Sequence, residues 1–268
     1  MDDRLQKGGK MKIEIIRDGK AIYSAEGEND IYLALKEEYK EGDAIAFTPD
    51  EEGYITLQFD AVLGRSTLYT NGKPFVMPIP FMQKHDCYHE AVYRGSKQFL
   101  WARKAYSWEY GCYRNLALNP YDAHENGSFF PHAKANIETR GESVFAARNA
   151  IDGIVASNGH GEWPWSSWGI NRDPEAELTL DFGRNVEIDR IVLYTRADFP
   201  HDAWWDEGTF TFSDGSVLTV HLEKKDGPQF FTFEKKIISS MSLSKLIKSS
   251  DPSPFPALIQ LEVYGKEA

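Results

Sequence analysis

The sequence predicts an all-β protein made of two β-sandwich domains, and three observations carry that prediction. Short runs rich in β-branched and aromatic residues recur at roughly 8–12-residue intervals, the spacing of sandwich and barrel strands. Turn residues punctuate them: Glu41-Gly42-Asp43, Asp50-Glu51-Glu52-Gly53, Asn71-Gly72-Lys73-Pro74 and Ser213-Asp214-Gly215-Ser216. No segment sustains a long helical period.

Taken in order, Lys12–Ile16 and Ala21–Ala25 flank Arg17-Asp18-Gly19-Lys20, where Asp-Gly supplies the positive φ of a type I′ hairpin turn. Asp30–Leu35 alternates as a strand, although Ile31–Lys40 also reads as a helix. Ala44–Thr48, Tyr54–Phe59, Ser66–Tyr69, Phe75–Ile79 and Gln98–Ala105 complete a sandwich over residues 11–113, preceded by a polar tail over 1–10. A second domain, 114–268, follows without a linker. Its strands are Ala176–Phe182, Glu187–Thr195, Thr209–Phe212, Val217–Leu222, Gln229–Lys235, Ser242–Lys248 and Leu258–Tyr264. Ser143–Asn149 is its helical turn, with Ser143 as cap and Val144, Phe145 and Ala147 as packing side.

A chain of 268 residues suits two ordinary domains. With 41% hydrophobic and 26% charged residues it has the composition of a globular protein, not of a disordered, collagenous or coiled-coil one. Its 30 basic and 41 acidic residues give a net charge of −11, which disfavours phosphate backbones and acidic membranes, so no nucleic-acid partner is expected. The imbalance is concentrated beyond Arg114, where 14 basic residues face 23 acidic ones. No apolar run approaches the roughly 18 residues of a membrane span. The polar start lacks a signal peptide's apolar stretch, so the expected location is cytoplasmic, or secreted after processing. Cys87 and Cys112 pair only if their Cα atoms lie within about 7 Å; the plainer reading is two free thiols.

Five blocks in the second domain follow one another in a recognisable order. They are Asn149-Ala150-Ile151-Asp152-Gly153, Ser167-Trp168, Ala176 to Gly183, Glu187 to Leu193 and Gln260 to Gly265. Together, over residues 115–268, they resemble the discoidin-like (coagulation factor 5/8 type C) β-sandwich. This galactose-binding-like jelly roll includes the family 32 carbohydrate-binding modules. Residues 1–113 fall outside the resemblance. The residues read the same way on physical grounds: Leu178, Leu180 and Phe182 alternate with polar neighbours, and Ile188, Ile191 and Leu193 mark one buried face. Trp168 reads as core, and Asp181 as a partner of turn backbone.

The resemblance implies a structural Ca²⁺ held by the carbonyls of Asn149 and Ile154, the Asp152 carboxylate, and Ile259 with Gln260. A hard cation takes six or more oxygens. Two departures weaken the set: Gln260 stands where the family frequently has Glu, and Ile154 where Asn or Asp is common. Without a metal, Asp152 would cap its own loop as an Asx-turn.

Five of the seven Trp fall between Trp163 and Trp205, on two loops that a jelly roll can bring to one end. A sugar presents an apolar C–H face and a ring of hydroxyls, so its site needs an aromatic platform beside hydrogen-bonding side chains. The first loop offers His160, Trp163 and Trp165; the second offers Arg196, Asp198, His201, Asp202 and Trp204; Arg172 lies between them. The resemblance makes Arg196 a sugar ligand. The plainer alternatives are a surface Arg196–Asp198 pair worth under about 1 kcal/mol and a packed Trp163/Trp165 patch. Adjacent Trp204 and Trp205 point to opposite faces on a strand. Asp251-Pro252-Ser253-Pro254-Phe255-Pro256 is a rigid loop that borders or braces the site.

The expected function is non-catalytic recognition of a carbohydrate. Two alternatives stand beside it: a protein-interaction or assembly module, and a glycan-cleaving enzyme with its site between the domains. The enzyme would draw on His201-Asp202 or His160-Gly161-Glu162 as acid and base. No Gly-x-Ser-x-Gly, His-Glu-x-x-His or phosphate-loop motif is present.

Overall fold

The computed structural model describes residues 9–159, 161–197 and 203–268, so most of the N-terminal tail lies outside it. Among the described residues the chain is nearly all β, with a few 3₁₀ turns and one four-residue helix, α1 (Ser107–Tyr110). Two compact units emerge. One holds the chain up to residue 80 with 91–109 and 125–129; the other holds 81–90, 110–124 and 130–268. The units interleave along the chain, whereas the sequence reading places one boundary after Tyr113.

The strands of the first unit are β1 (Met11–Arg17), β2 (Lys20–Gly27), β3 (Asp30–Leu35), β4 (Ala44–Thr48), β5 (Glu52–Gln58), β6 (Ser66–Asn71), β7 (Phe75–Pro78) and β8 (Gln98–Lys104). The rest of the chain adds β9 (Arg114–Asn115), β10 (Phe129–Phe130), β11 (His132–Ala135), β12 (Trp168–Gly169), β13 (Leu178–Thr195), β14 (Trp205–Phe212), β15 (Val217–His221), β16 (Gln229–Lys248) and β17 (Ala257–Glu267).

In the first unit, β2-β1-β4-β7 form one antiparallel sheet and β6-β5-β8-β3 the core of the other, with β10 at its edge. Period-two burial explains the pairing: Met11, Ile13 and Ile15 of β1, and Ile31, Leu33 and Leu35 of β3, point inward. Phe47 of one sheet meets Phe129 of the other at 5.5 Å, so the layers pack face to face. The helical alternative at Ile31–Lys40 loses because the alternation of Ile31, Leu33 and Leu35 is satisfied only when Asp30–Leu35 pairs with β8. Asp18 and Gly19, both at positive φ, make the hairpin turn between β1 and β2.

Asp43 is the polar anchor of this unit. Its carboxylate is fully buried and accepts from Arg17 Nε (2.7 Å), Arg17 Nη2 (2.8 Å) and the Lys40 amide (2.8 Å). Burial works against the charge, but these donors outweigh it and hold the pKa below the ordinary carboxylate value.

The second unit is one large antiparallel sheet system ordered β12-β17-β13-β16-β14-β15, with β11 added to β13 and β9 to β17. The strand pairs expected at Ala176–Phe182 with Glu187–Thr195, and at Gln229–Lys235 with Ser242–Lys248, are each one long bent strand, β13 and β16. Register shifts bend them, one between Asp181 and Val186 and another between Ile188 and Arg190. The second shift turns Ile188, Ile191 and Leu193 to the same core although their spacing is uneven. Trp168 and Trp205 are fully buried there, and Trp168 Nε1 donates to the Ile137 carbonyl (3.0 Å). Each such indole contributes about 3 kcal/mol of burial. The expected helix at Ser143–Asn149 is two 3₁₀ turns instead. Extended Ala146 divides them, and Ser143 Oγ donates to the Gln83 carbonyl (2.5 Å) rather than capping. Cys87 is buried and Cys112 exposed, and no disulfide joins them.

Two outcomes are expected. Asp43→Asn should cost about 3 kcal/mol in urea melts near neutral pH, because it leaves Arg17 without its buried partner. The parent's Asp43 contribution is present above the unfolded carboxylate pKa and is lost as pH falls through the lower folded one. Acid titration below about pH 4 should therefore narrow the gap between parent and variant. Gly265, opposite Ile188, has no room for a side chain: a Cβ would overlap the Glu187 carbonyl oxygen and press on Ile188 Cα. Gly265→Ala should cost about 3 kcal/mol by denaturant titration, because backbone cannot step aside as a flexible side chain does.

Candidate ligand-binding cavity

The site is built outward from a buried cation. Arg148 donates Nε to the Asp122 carbonyl (2.9 Å), Nη2 to the Pro120 carbonyl (3.0 Å) and Nη1 to Asn149 Oδ1 (3.1 Å). Tyr88 lies beneath the guanidinium at 4.7 Å. Burial opposes its charge, but its surroundings, Asp152 and Asp122 among them, outweigh that and raise its pKa, so Arg148 stays protonated. Asn149 passes the restraint on: its Nδ2 donates to the carbonyls of Ser143 (2.8 Å) and Ser167 (3.3 Å), and the Ser167 amide donates to Val144 O (2.9 Å). This places Phe145 and β12 side by side.

Between them and the Asp251–Pro256 loop opens a cavity of about 230 Å³. Phe145, Phe255, Pro254 and Pro256 supply its apolar wall, and Arg140, Arg172 and Arg196 its polar groups. The size falls below the roughly 300–1,000 Å³ of drug-sized sites, so it suits one small polar ring rather than an enclosed chain. Arg196 follows β13 directly. It is only 2% exposed, its amide donates to the Ala257 carbonyl (2.9 Å), and its Nη1 to the Trp165 carbonyl (3.4 Å). Arg172 is exposed and stacks on Phe255 at 4.4 Å. Arg140 is paired with Glu142 through two bonds of 2.6 and 2.7 Å. Lys248 ties down the proline loop by donating to the carbonyls of Ser249 and Asp251.

Of the residues singled out in the sequence, Arg172 and Arg196 meet in this cavity, and the proline loop borders it. His160, Asp198, His201 and Asp202 lie outside the described residues. The indoles do not line it. Trp165 turns inward, perpendicular to Phe145 at 5.8 Å, and joins a small cluster with Val144 and Cys87. Trp163 is 42% exposed but sits edge-on to His89 at 4.8 Å. Trp204 is partly buried under Lys224. A platform shared by Trp163, Trp165 and Trp204 is therefore not formed; the rings beside the arginines are Phe145 and Phe255. Arg140 and Phe145 carried no sequence signal for this role, because they reach it from a segment far from Phe255 in the chain.

The expected calcium ligands have other partners. Asp152 Oδ1 accepts the Ile154 amide (2.8 Å) as an Asx-turn, and Gln260 Oε1 accepts the Gly153 amide (3.2 Å). Asp152 Oδ2 lies 4.0 Å from Arg148 Nη1, and burial raises the Asp152 pKa to about 7 despite that neighbour. The Asn149 side-chain oxygen faces the same guanidinium, and Asn149, Ile154 and Ile259 would each bring a backbone carbonyl. Among the described residues no three His, Cys, Asp or Glu side chains come together in a metal-binding group. In the expected set Asp152 brings the one carboxylate, and the rest of a hard cation's six or more oxygens would come from backbone carbonyls and the Gln260 amide.

A protein-family model described as a domain of unknown function (DUF7402) matches residues 131–252. No curated protein matches the chain. Among solved structures, the chain is similar to chitosan-binding module 1 of a chitosanase/glucanase from Paenibacillus sp. IK-5. The identity is 21%, over 57% of this chain and 99% of that one, with a TM-score of 0.38. A fucose-binding module of Streptococcus pneumoniae is similar at 14% identity, over 57% and 99%, with a TM-score of 0.41. The lectin domain of lectinolysin, solved with Lewis B antigen, is similar at 17% identity, over 58% and 98%, also at 0.41.

If Arg148 supplies the positive charge of the loop end, calcium and chelator should leave the melting temperature unchanged. Arg148→Met should cost about 3–5 kcal/mol by urea denaturation, because it orphans a buried oxygen set. A melting temperature that falls with chelator would count against this assignment.

Proposed function

We propose that the second unit is a discoidin-like, non-catalytic carbohydrate-binding module that takes a sugar ring in the cavity beside Phe255. The observation that carries this reading is the pairing of apolar ring and proline walls with guanidinium donors in one small open hollow. Aromatic and proline faces receive the C–H side of a pyranose, and guanidinium N–H groups donate to its oxygens. Arg196 supports the reading twice over: the family resemblance makes it a sugar ligand, and it lines the cavity. The described lining carries no carboxylate, so it offers no paired acids for glycoside cleavage. No helix among the described residues is long and apolar enough to cross a membrane.

The test is a glycan array on the purified chain, followed by calorimetry on the best neutral and charged hits. Phe255 is 39% exposed and lies outside the main hydrophobic core, so Phe255→Ala should leave the fold intact. That variant should bind at least about 10-fold more weakly, equal to about 1.4 kcal/mol of lost contact. Undiminished binding by a folded Phe255→Ala protein would remove the cavity from consideration.

A further inference from the structure

The turn that presents Arg172 is built against its own backbone preference. Ile170 to Asp173 close a β-turn through the Asp173 amide and the Ile170 carbonyl (2.9 Å), and both central residues have positive φ, Asn171 at 50° and Arg172 at 61°. That is the type I′ pattern, whose second central position is normally glycine. The same chain follows the rule elsewhere: in the β1–β2 hairpin the two positions are Asp18 and Gly19. At Arg172 the chain carries a long cationic side chain where glycine would relieve the strain, and strain of this kind collects at functional positions.

What that side chain meets defines the ligand. Arg172 stacks on Phe255, and among the described residues no carboxylate pairs with it. The described cavity lining holds three arginines and no Asp or Glu, in a chain whose 41 acidic residues outnumber its 30 basic ones. Among the described lining residues Arg140 is already matched by Glu142, which leaves Arg172 as the accessible cation at the rim, with Arg196 deeper in. A neutral sugar has no need of such a local reversal of charge. A carboxylate matches a guanidinium fork with two parallel hydrogen bonds.

We infer that the cavity selects a pyranose bearing a carboxylate, a uronic acid residue, with Arg172 as the specificity-determining cation. The inference rests on the sugar-binding reading above and adds the charge of the ligand to it. Phe255 holds the ring, and Arg172, fixed against Phe255 by the strained turn, receives the carboxylate.

The experiment is calorimetric titration of the full chain with trigalacturonate and triglucuronate, and with the neutral galactose and glucose trisaccharides of the same linkages, at low and high salt. At least one uronate should bind 10-fold or more tightly than its neutral counterpart, with the preference shrinking as salt rises. Arg172→Gln should erase the preference, weakening the uronate at least 10-fold more than it weakens the neutral sugar of the same linkage. Arg172→Gly should do the same and melt no lower than the parent, because glycine fits the turn. A purely structural Arg172 would not give that combination. Equal binding of neutral and charged sugars, or a preference that survives Arg172→Gln, overturns the uronate inference and leaves sugar binding standing. Failure to bind any of the four sugars, or any glycan on the array, overturns both.

Discussion

The cavity end of the second unit depends on one buried guanidinium. Arg148 draws the carbonyls of Pro120 and Asp122, the Asn149 amide oxygen and the Asp152 carboxylate toward a single point. Those oxygens come from separate stretches of irregular chain that no strand ladder organises. A charge-assisted donor with five N–H groups in fixed geometry is well suited to hold them. Through Asn149 the restraint reaches Ser143 and Ser167, and so sets the distance between Phe145 and the Trp168–Gly169 strand. The cavity inherits its shape from a residue that does not line it.

The arrangement separates two tasks that arginine can perform. Arg148 is deep, saturated with oxygen partners and structural. Arg172 stands at the rim on a conformation that costs the fold something, stacked on an aromatic ring. Arg196 lies between these extremes, almost wholly buried yet part of the cavity wall. Position along this gradient of burial, rather than residue type, decides which cation braces and which is available to a ligand.

Much of the fold was legible because alternation is a local signal. The strand boundaries around Asp30–Leu35 and Ala44–Thr48 are readable residue by residue, and so is the core role of Trp168. The long strands β13 and β16 were not, because turn-like residues such as Gly183 sit where the strand bends without ending. The site was legible only in part. Arg172, Arg196 and the proline loop stand out by composition and by the resemblance. The Trp residues stood out equally, yet side-chain direction sends Trp165 into a packed cluster and Trp205 into the core. Arg148 left no trace in sequence, since its role follows from Tyr88, Pro120 and Asp122 reaching it in space.

The position of β17 bears on how the protein comes into being. This last strand lies inside the sheet, between β13 on one side and β12 with β9 on the other, and it pairs residues about 150 positions apart. A ribosome delivers it after everything it must bridge. Until it emerges, β13 has an open edge and the apolar residues of that edge are exposed to other chains. The second unit therefore closes only once β17 has been made, by insertion rather than by stepwise growth.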